Sequence, residues 1–231
     1  MEAILRQGLA ELSLPTGTIP KLVRYAELLA EKNKVMNLTA ITDPAEVARL
    51  HFLDSAALLA LSDFQGKRVV DVGTGAGFPG LPLRILQPSI RLTLLDAQRK
   101  RVDFLCQVCA ELGLEDTACI HTRAEEFAQA HRESFDVAVS RAVAALPVLA
   151  ELCLPLVAPE GKFLAMKSVD TQEELESAQR AVTLLGGRLE PPLDYAIPGT
   201  EIRHRLVIIT KIRETPKKYP RIFAKIKKNP L

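Results

Sequence analysis

The sequence predicts an α/β fold: a doubly wound, mostly parallel sheet with a reversed last strand and a helical N-terminal extension. Three observations predict it. From Lys67 onward short β-branched runs alternate with helical segments. The apolar strand Arg68 to Val72 runs straight into the glycine-rich turn Gly73-Thr74-Gly75-Ala76-Gly77. Residues 1 to about 64 carry apolar positions at helical spacing.

In the N-terminal part, Leu5, Leu9 and Leu12 share one helical face, as do Leu22, Tyr25 and Leu29, with Pro15 and Gly17 marking the turn between the two runs. A third helix, Pro44 to Leu61, starts at Asp43 as cap, with Pro44 at the first helical position and Glu46 completing a capping box. The expected strands are Arg68 to Val72, Arg91 to Leu95, Thr117 to His121, Phe135 to Ser140, Lys162 to Met166, a weak one near Arg188, and Leu206 to Lys211, seven in all. A helix from about Gln172 to Leu185 stops at Gly186-Gly187. A weak strand followed by one rich in Val and Ile is the arrangement of the reversed seventh strand of methyltransferases, by analogy with that fold. The expected units are 1–64 (helical subdomain), 65–213 (catalytic domain) and 214–231, a Pro- and Lys-rich tail ordered only on binding.

The 231 residues suit one well-filled core with an appended subdomain. With 48% hydrophobic and 25% charged residues the chain is ordinary globular, and the absence of Trp argues against an aromatic platform for bases. Residues 1–6 lack a basic leader with an apolar core, and the apolar stretch from Ala142 to Pro159 is interrupted by Pro147, Glu151 and Pro155. A cytoplasmic protein without membrane contact is expected. Cysteines 106, 109, 119 and 153 offer one Cys-x-x-Cys pair and no second pair or His cluster, so no metal site and free thiols are expected, with Cys106 and Cys109 in a core-facing helical run. Net charge is +2, but from Arg203 onward ten Lys or Arg face one acid, Glu214. A basic end on an acidic body matches a contact with a phosphate backbone; a merely solvated tail is the alternative.

The chemistry concentrates around the glycine turn. Gly73, Gly75 and Gly77 let the backbone turn tightly and approach a nucleotide-like cofactor, while Gly75, Gly77 and Gly80 also spell the dinucleotide fingerprint. Charge separates the two cofactors: Asp71 would repel a pyrophosphate and attract the ammonium and sulfonium of S-adenosylmethionine. Asp96, nineteen positions after Gly77, ends the second strand where two carboxylate oxygens accept bonds from ribose hydroxyls. Ala124 and Glu125 follow the third strand, where a backbone amide and a nearby acceptor could meet adenine. Ser140 and Arg141 end the fourth, and the Arg141 fork suits a methionine carboxylate or a substrate phosphate, with a structural ion pair as the alternative. His51, Asp54 and Ser55 lie at i, i+3 and i+4 of one helix, a spacing that packs a helix better than it builds a hydrolytic triad. An Asn-Pro-Pro-Tyr or Asp-Pro-Pro-Tyr loop is missing after the fourth strand, and Cys153 lacks a Pro-Cys setting, which argues against exocyclic amines and pyrimidine ring carbons as acceptors. A purine ring nitrogen with its own lone pair needs positioning and electrostatics more than a base.

The segments Asn37-Leu38-Thr39-Ala40-Ile41, His51-Phe52-Leu53-Asp54-Ser55, Asp71 to Gly80 with Gly-Phe-Pro-Gly, Ser140-Arg141-Ala142-Val143-Ala144, Ala165-Met166-Lys167 and Tyr219-Pro220-Arg221 span nearly the whole chain. Together they resemble the bacterial 16S rRNA guanine-N7 methyltransferases known as rRNA small-subunit methyltransferase G, or glucose-inhibited division protein B. The resemblance implies a class I S-adenosylmethionine-dependent, Rossmann-like fold and cofactor contacts at Gly73, Phe78, Ala124 with Glu125, and Arg141. It also implies methyl transfer to N7 of one guanine in the 530 loop of 16S rRNA, with S-adenosylhomocysteine as product, by a monomer acting on a small ribosomal particle or assembly intermediate. Ser168 stands where the family has glycine, and Ile222-Phe223-Ala224-Lys225-Ile226 departs from its usual continuation after Tyr219-Pro220-Arg221. On the residues alone an oxidoreductase, a small-molecule methyltransferase and a non-catalytic RNA-binding module stay open, though no Ser-Tyr-Lys or His-based hydride-transfer set is visible.

Overall fold

The computed structural model describes residues 1–141 and 143–231. Ala142, within the Ser140 to Ala144 segment, lies outside the described residues. The N-terminal helices are α1 (Glu2–Glu11) and α2 (Ile19–Met36), the latter closed by Asn37 in a left-handed conformation. The helix expected from Pro44 to Leu61 forms in three pieces: α3 (Pro44–Glu46), a π-helical segment (Val47–Leu53) and α4 (Asp54–Leu61). Asp43 caps it, its Oδ1 accepting from the amides of Ala45 and Glu46, both at 2.9 Å.

The sheet follows: β1 (Arg68–Val72), β2 (Arg91–Asp96), β3 (Thr117–His121), β4 (Phe135–Arg141), β5 (Val157–Ser168), β6 (Gly187–Leu189), β7 (Leu193–Ala196) and β8 (Arg203–Lys211). Between them run α5 (Gly80–Leu86), α6 (Arg99–Leu112), α7 (Ala124–Ala130), α8 (Leu146–Cys153) and α9 (Gln172–Leu184), and α10 (Phe223–Lys228) ends the chain. Strand order is β3-β2-β1-β4-β5-β8-β6, with β7 also on β8. Strands β1 to β5 pair in parallel, and β8 runs antiparallel to β5, the reversal expected.

The sheet has eight strands where seven were expected. The weak strand near Arg188 is split into β6 and β7 on the same edge of β8. The Glu190 amide donates to Ile208 O, while Leu193 lies opposite Leu206: three steps on this strand oppose two on its partner, which is a bulge. Pro191 and Pro192 occupy it, where no ladder donor is needed.

Side chains alternate across the sheet. Val69, Leu92, Leu94, Val139, Leu164 and Met166 pack with Leu5, Leu22, Phe52, Leu81 and Leu105. Val70, Val72, Ala138, Phe163, Ala165 and Val207 pack with Leu149, Ala178, Tyr219 and Ile226. The N-terminal helices thus share one core with the first face of the sheet instead of closing a core of their own.

The tail corrects the expectation of a segment ordered only on binding. Tyr219 and Ile226 are buried, Arg221 makes paired bonds to the buried Glu151 (Nη2 to Oε2 at 2.6 Å), and Arg132 donates to the carbonyls of Thr215 and Tyr219. Apolar anchors hidden in a basic run, together with a buried carboxylate that needs a cation, hold it down. Of the ten basic residues from Arg203 onward, Arg205 pairs with Asp194, Lys211 with Glu133 and Arg221 with Glu151. Seven remain exposed: 203, 213, 217, 218, 225, 227 and 228.

Candidate active site

The order of the strands reverses between β1 and β4, and the crevice at their carboxyl ends is where an open α/β sheet binds ligands. The glycine turn lies there. The amides of Gly73 and Thr74 both donate to Leu95 O, at 2.9 and 3.0 Å, leaning the turn over the end of β2. Gly75 takes φ +61°, and a Cβ there would meet nothing within 4 Å, so its backbone borders open space. Gly77, at φ +105°, is the reverse case: a Cβ would strike the Tyr25 hydroxyl and come within 2.6 Å of Leu81. Tyr25 itself donates to Ala76 O, pinning the turn to α2.

Asp71 is completely buried beneath the turn. Its Oδ2 accepts from Thr74 Oγ1 and from the Gly80 amide, both at 2.8 Å, because the turn and the first residue of α5 present donors that need an acceptor there. Oδ1 has no hydrogen-bond partner among the described residues. Burial pushes the carboxyl pKa up to about 6, opposed by the two hydrogen bonds and by the charge of Arg141.

Asp96 is 4% exposed. Its Oδ2 accepts from the Gly75 amide at 3.0 Å and pairs with Arg101 at 3.4 Å, and Oδ1 accepts from the Gln98 amide at 2.8 Å. Oδ2 thus takes two donors and Oδ1 one, which leaves lone-pair capacity on Oδ1. Ala124 and Glu125, both buried, form the first turn of α7 at the end of β3. Two buried carboxylates therefore flank the glycine turn, one beneath it and one beside it.

Arg141 projects from the end of β4 into the N-terminal helices. Nη1 donates to Leu50 O at 3.0 Å and to Asp54 Oδ2 at 3.1 Å, Nη2 meets His51 Nδ1 at 3.1 Å, and Cζ lies 5.1 Å from the centre of the Phe78 ring. Arginine only donates, so Nδ1 of His51 is an acceptor and the ring proton sits on Nε2, 2.8 Å from Thr39 Oγ1. Burial, reinforced by the Arg141 charge, lowers the His51 pKa to about 4 and keeps the ring neutral. The structural ion pair weighed for Arg141 is thus present, and these bonds engage three of its five N–H groups.

Phe78 is 5% exposed, stacked on His51 at 4.4 Å and on Tyr25 at 5.4 Å, so any cofactor contact there falls to its backbone. Ser140 is buried and donates to Val72 O at 2.9 Å, joining the ends of β4 and β1 instead of lining a ligand space. Ser55 donates to His51 O at 2.6 Å within its own helix, which removes any triad. Cys109 joins the core as expected, but Cys106 is exposed. Ser168 ends β5 in the open, opposite His204.

Sequence reasoning missed Tyr25 and Thr74 as supports of the turn, and missed Tyr195 and His204, which both reach Asp54 Oδ1 at 2.8 Å. It also missed Lys167 and Glu174, which hold the chain after Arg141 at Ala144 O and the Leu146 amide. Tyr25, Tyr195 and His204 lie 51, 141 and 150 positions from the groups they bond, which leaves no local signal. A cavity of about 630 Å³ lies elsewhere, lined by Val23, Leu29, Asn33, Thr39, Ile41 and Val47 among others, and includes no residue of the glycine turn.

A glycine turn at the switch point, buried carboxylates on two sides of it and a reversed β8 define the class: the protein is an α/β methyltransferase with the fold of S-adenosylmethionine-dependent enzymes. Solved structures share that fold at low identity, among them a SAM-dependent methyltransferase from Aquifex aeolicus (TM-score 0.53, 15% identity, 75% of this chain and 96% of that one). TrmN from Thermus thermophilus is another (TM-score 0.53, 21% identity, 68% and 48%). The family model for GidB, rRNA small subunit methyltransferase G, matches residues 18–191, and the chain belongs to this family. It is 46% identical to ribosomal RNA small subunit methyltransferase G of Clostridium botulinum (strain ATCC 19397 / Type A), over 91% of this chain and 90% of that one. With the protein of that name from Alkaliphilus metalliredigens identity is 45%, over 99% and 98%.

Proposed function

We propose that this methyltransferase carries the methyl group of S-adenosylmethionine to N7 of a guanine in the 530 loop of 16S rRNA. The observation that supports the donor best is the pair of buried carboxylates, Asp71 and Asp96, around a turn whose Gly75 borders open space. Fixed negative charge in a low-dielectric surround disfavours a pyrophosphate and favours a cationic ligand. Asp71 is sealed beneath the turn and acts on such a ligand through its field, not by contact.

Bound at this turn, the sulfonium supplies an electrophilic methyl group. The chain's own residues hold and orient. Gly73, Gly75, Gly77 and Phe78 offer backbone to the cofactor, Asp96 accepts from its ribose hydroxyls, the Ala124 amide with Glu125 reads its adenine, and the two N–H groups of Arg141 not used in the protein reach its carboxylate. Guanine N7 has a lone pair and needs no proton removed, so in-line placement and electrostatics carry the rate. The seven exposed basic residues at the C-terminal end supply phosphate contacts for rRNA in a small ribosomal particle or assembly intermediate, met by a monomer in the cytoplasm. No helix among the described residues is long and apolar enough to cross a membrane.

The experiment is to map methylated positions in 16S rRNA from cells with and without this protein. Loss of a single N7-methylguanine in the 530 loop is the expected result; an unchanged methylation pattern contradicts the proposal.

A further inference from the structure

Asp54 joins Arg141 to two further strands, β7 and β8. It sits at the start of α4, directly after the π-helical segment, with its side chain 1% exposed. Oδ2 takes Arg141 Nη1 from the end of β4 at 3.1 Å, and Oδ1 takes Tyr195 Oη from β7 and His204 Nδ1 from β8, both at 2.8 Å. A carboxylate has about four lone-pair sites, and three are used by donors from three strands. We propose that Asp54 is the positioning residue for Arg141, locking the guanidinium at the methyl-transfer site through a clamp that Tyr195 and His204 hold from behind. The inference rests on the reading of Arg141 as a cofactor contact.

The geometry gives each partner a distinct part. Three engaged N–H groups fix the guanidinium plane over Phe78, which aims its remaining two. Without support behind it, Asp54 could swing with Arg141 as a pair, and the direction of those two N–H groups would be lost. Tyr195 and His204 prevent this by occupying Oδ1 from the β7–β8 hairpin, on the side of Asp54 opposite Arg141 in the bonding pattern. A site in which one arginine is aimed by three separate elements is preorganised, and small losses of aim cost rate more than fold.

The test is steady-state methyl transfer from tritiated S-adenosylmethionine to small ribosomal particles isolated from cells lacking this activity, with the thermal midpoint of each variant measured alongside. Tyr195→Phe and His204→Gln are expected to lower kcat/KM three- to ten-fold and Asp54→Asn more than ten-fold. In an Arg141→Ala background the same substitutions are expected to change the residual turnover less than two-fold, because their effect passes through the guanidinium. A purely structural role would instead multiply the loss equally in both backgrounds, and that result overturns the proposal, as does full turnover of folded Tyr195→Phe and Asp54→Asn. If Asp54→Asn does not fold, Tyr195→Phe, which keeps the ring and removes one hydroxyl, decides alone. Full turnover of Arg141→Ala itself would remove the assignment of Arg141, a failure visible separately from that of the clamp.

Discussion

The amide of Gly80 donates to Oδ2 of Asp71 at 2.8 Å, sewing the first residue of α5 to the end of β1. One carboxylate oxygen thus builds the glycine turn while the other is left buried and unpartnered. The energetic consequence is visible in the raised pKa of about 6.

An Asp71 carboxyl titrating near 6 in the folded chain and 3.8 unfolded makes the native state hold more protons between those values, so stability falls as pH rises through that window. Asp71→Asn keeps an acceptor for Thr74 and Gly80 and removes the charge. Urea denaturation is expected to show the variant more stable than the parent by about 3 kcal/mol at pH 7 and equal to it below pH 4. Its affinity for S-adenosylmethionine should be at least ten-fold weaker. A variant less stable at pH 7 would show that the buried charge stabilises the apo fold.

His51 works in the opposite direction. Its pKa is lowered from 6.5 to about 4, so the unfolded chain takes up a proton first and stability is lost as pH falls through that range, by about 3 kcal/mol. In the parent the two shifts offset each other between about pH 4 and 6.5. Replacing Asp71 with Asn unmasks the histidine, and the stability of that variant should drop steadily on acidification over this window. A flat profile would mean His51 is protonated in the fold.

Gly75 and Gly77 should separate binding from folding. Gly75→Ala places a Cβ in open space and costs only the left-handed backbone, about 1–2 kcal/mol, while blocking close approach of the cofactor. Gly77→Ala drives a methyl group into Tyr25 and Leu81 and should cost appreciably more stability. Thermal midpoints together with calorimetric titration check the contrast; similar loss of fold in both would reject it.

The C-terminal basic residues divide the same way. Changing Lys217, Lys218, Lys225, Lys227 and Lys228 to Gln should leave stability near the parent's. It should also flatten the salt dependence of rRNA binding by roughly 0.7 in log–log slope for each phosphate no longer neutralised. Arg221→Ala strands the fully buried Glu151 and should cost about 3–5 kcal/mol of stability. An unchanged salt slope in the Lys variant would place rRNA elsewhere on the surface.

Much of this is legible in the sequence because it is local. The run from Arg68 into Gly73 announces a strand and a turn, and Asp96 sits at the end of β2 where its spacing puts it. What cannot be read is non-local or conformational. The spacing of His51 and Asp54 marks a packed helical face, but not that both meet Arg141 across the chain. Nothing in residues 47–53 distinguishes a π-helical segment from an α-helix. Tyr219 and Ile226 look like isolated apolar residues in a basic tail, and only the far face of the sheet explains why they are buried. The donors of Thr74 and Gly80 that hold Asp71 cannot be read either, because they depend on how the turn closes.

The most direct measurement is calorimetric titration of the intact chain with S-adenosylmethionine and, side by side, with NADH. Saturable binding of S-adenosylmethionine alone, weakened by Asp71→Asn, is the result expected of acidic groups that select a cationic methyl donor. Binding of NADH with none of S-adenosylmethionine would contradict it.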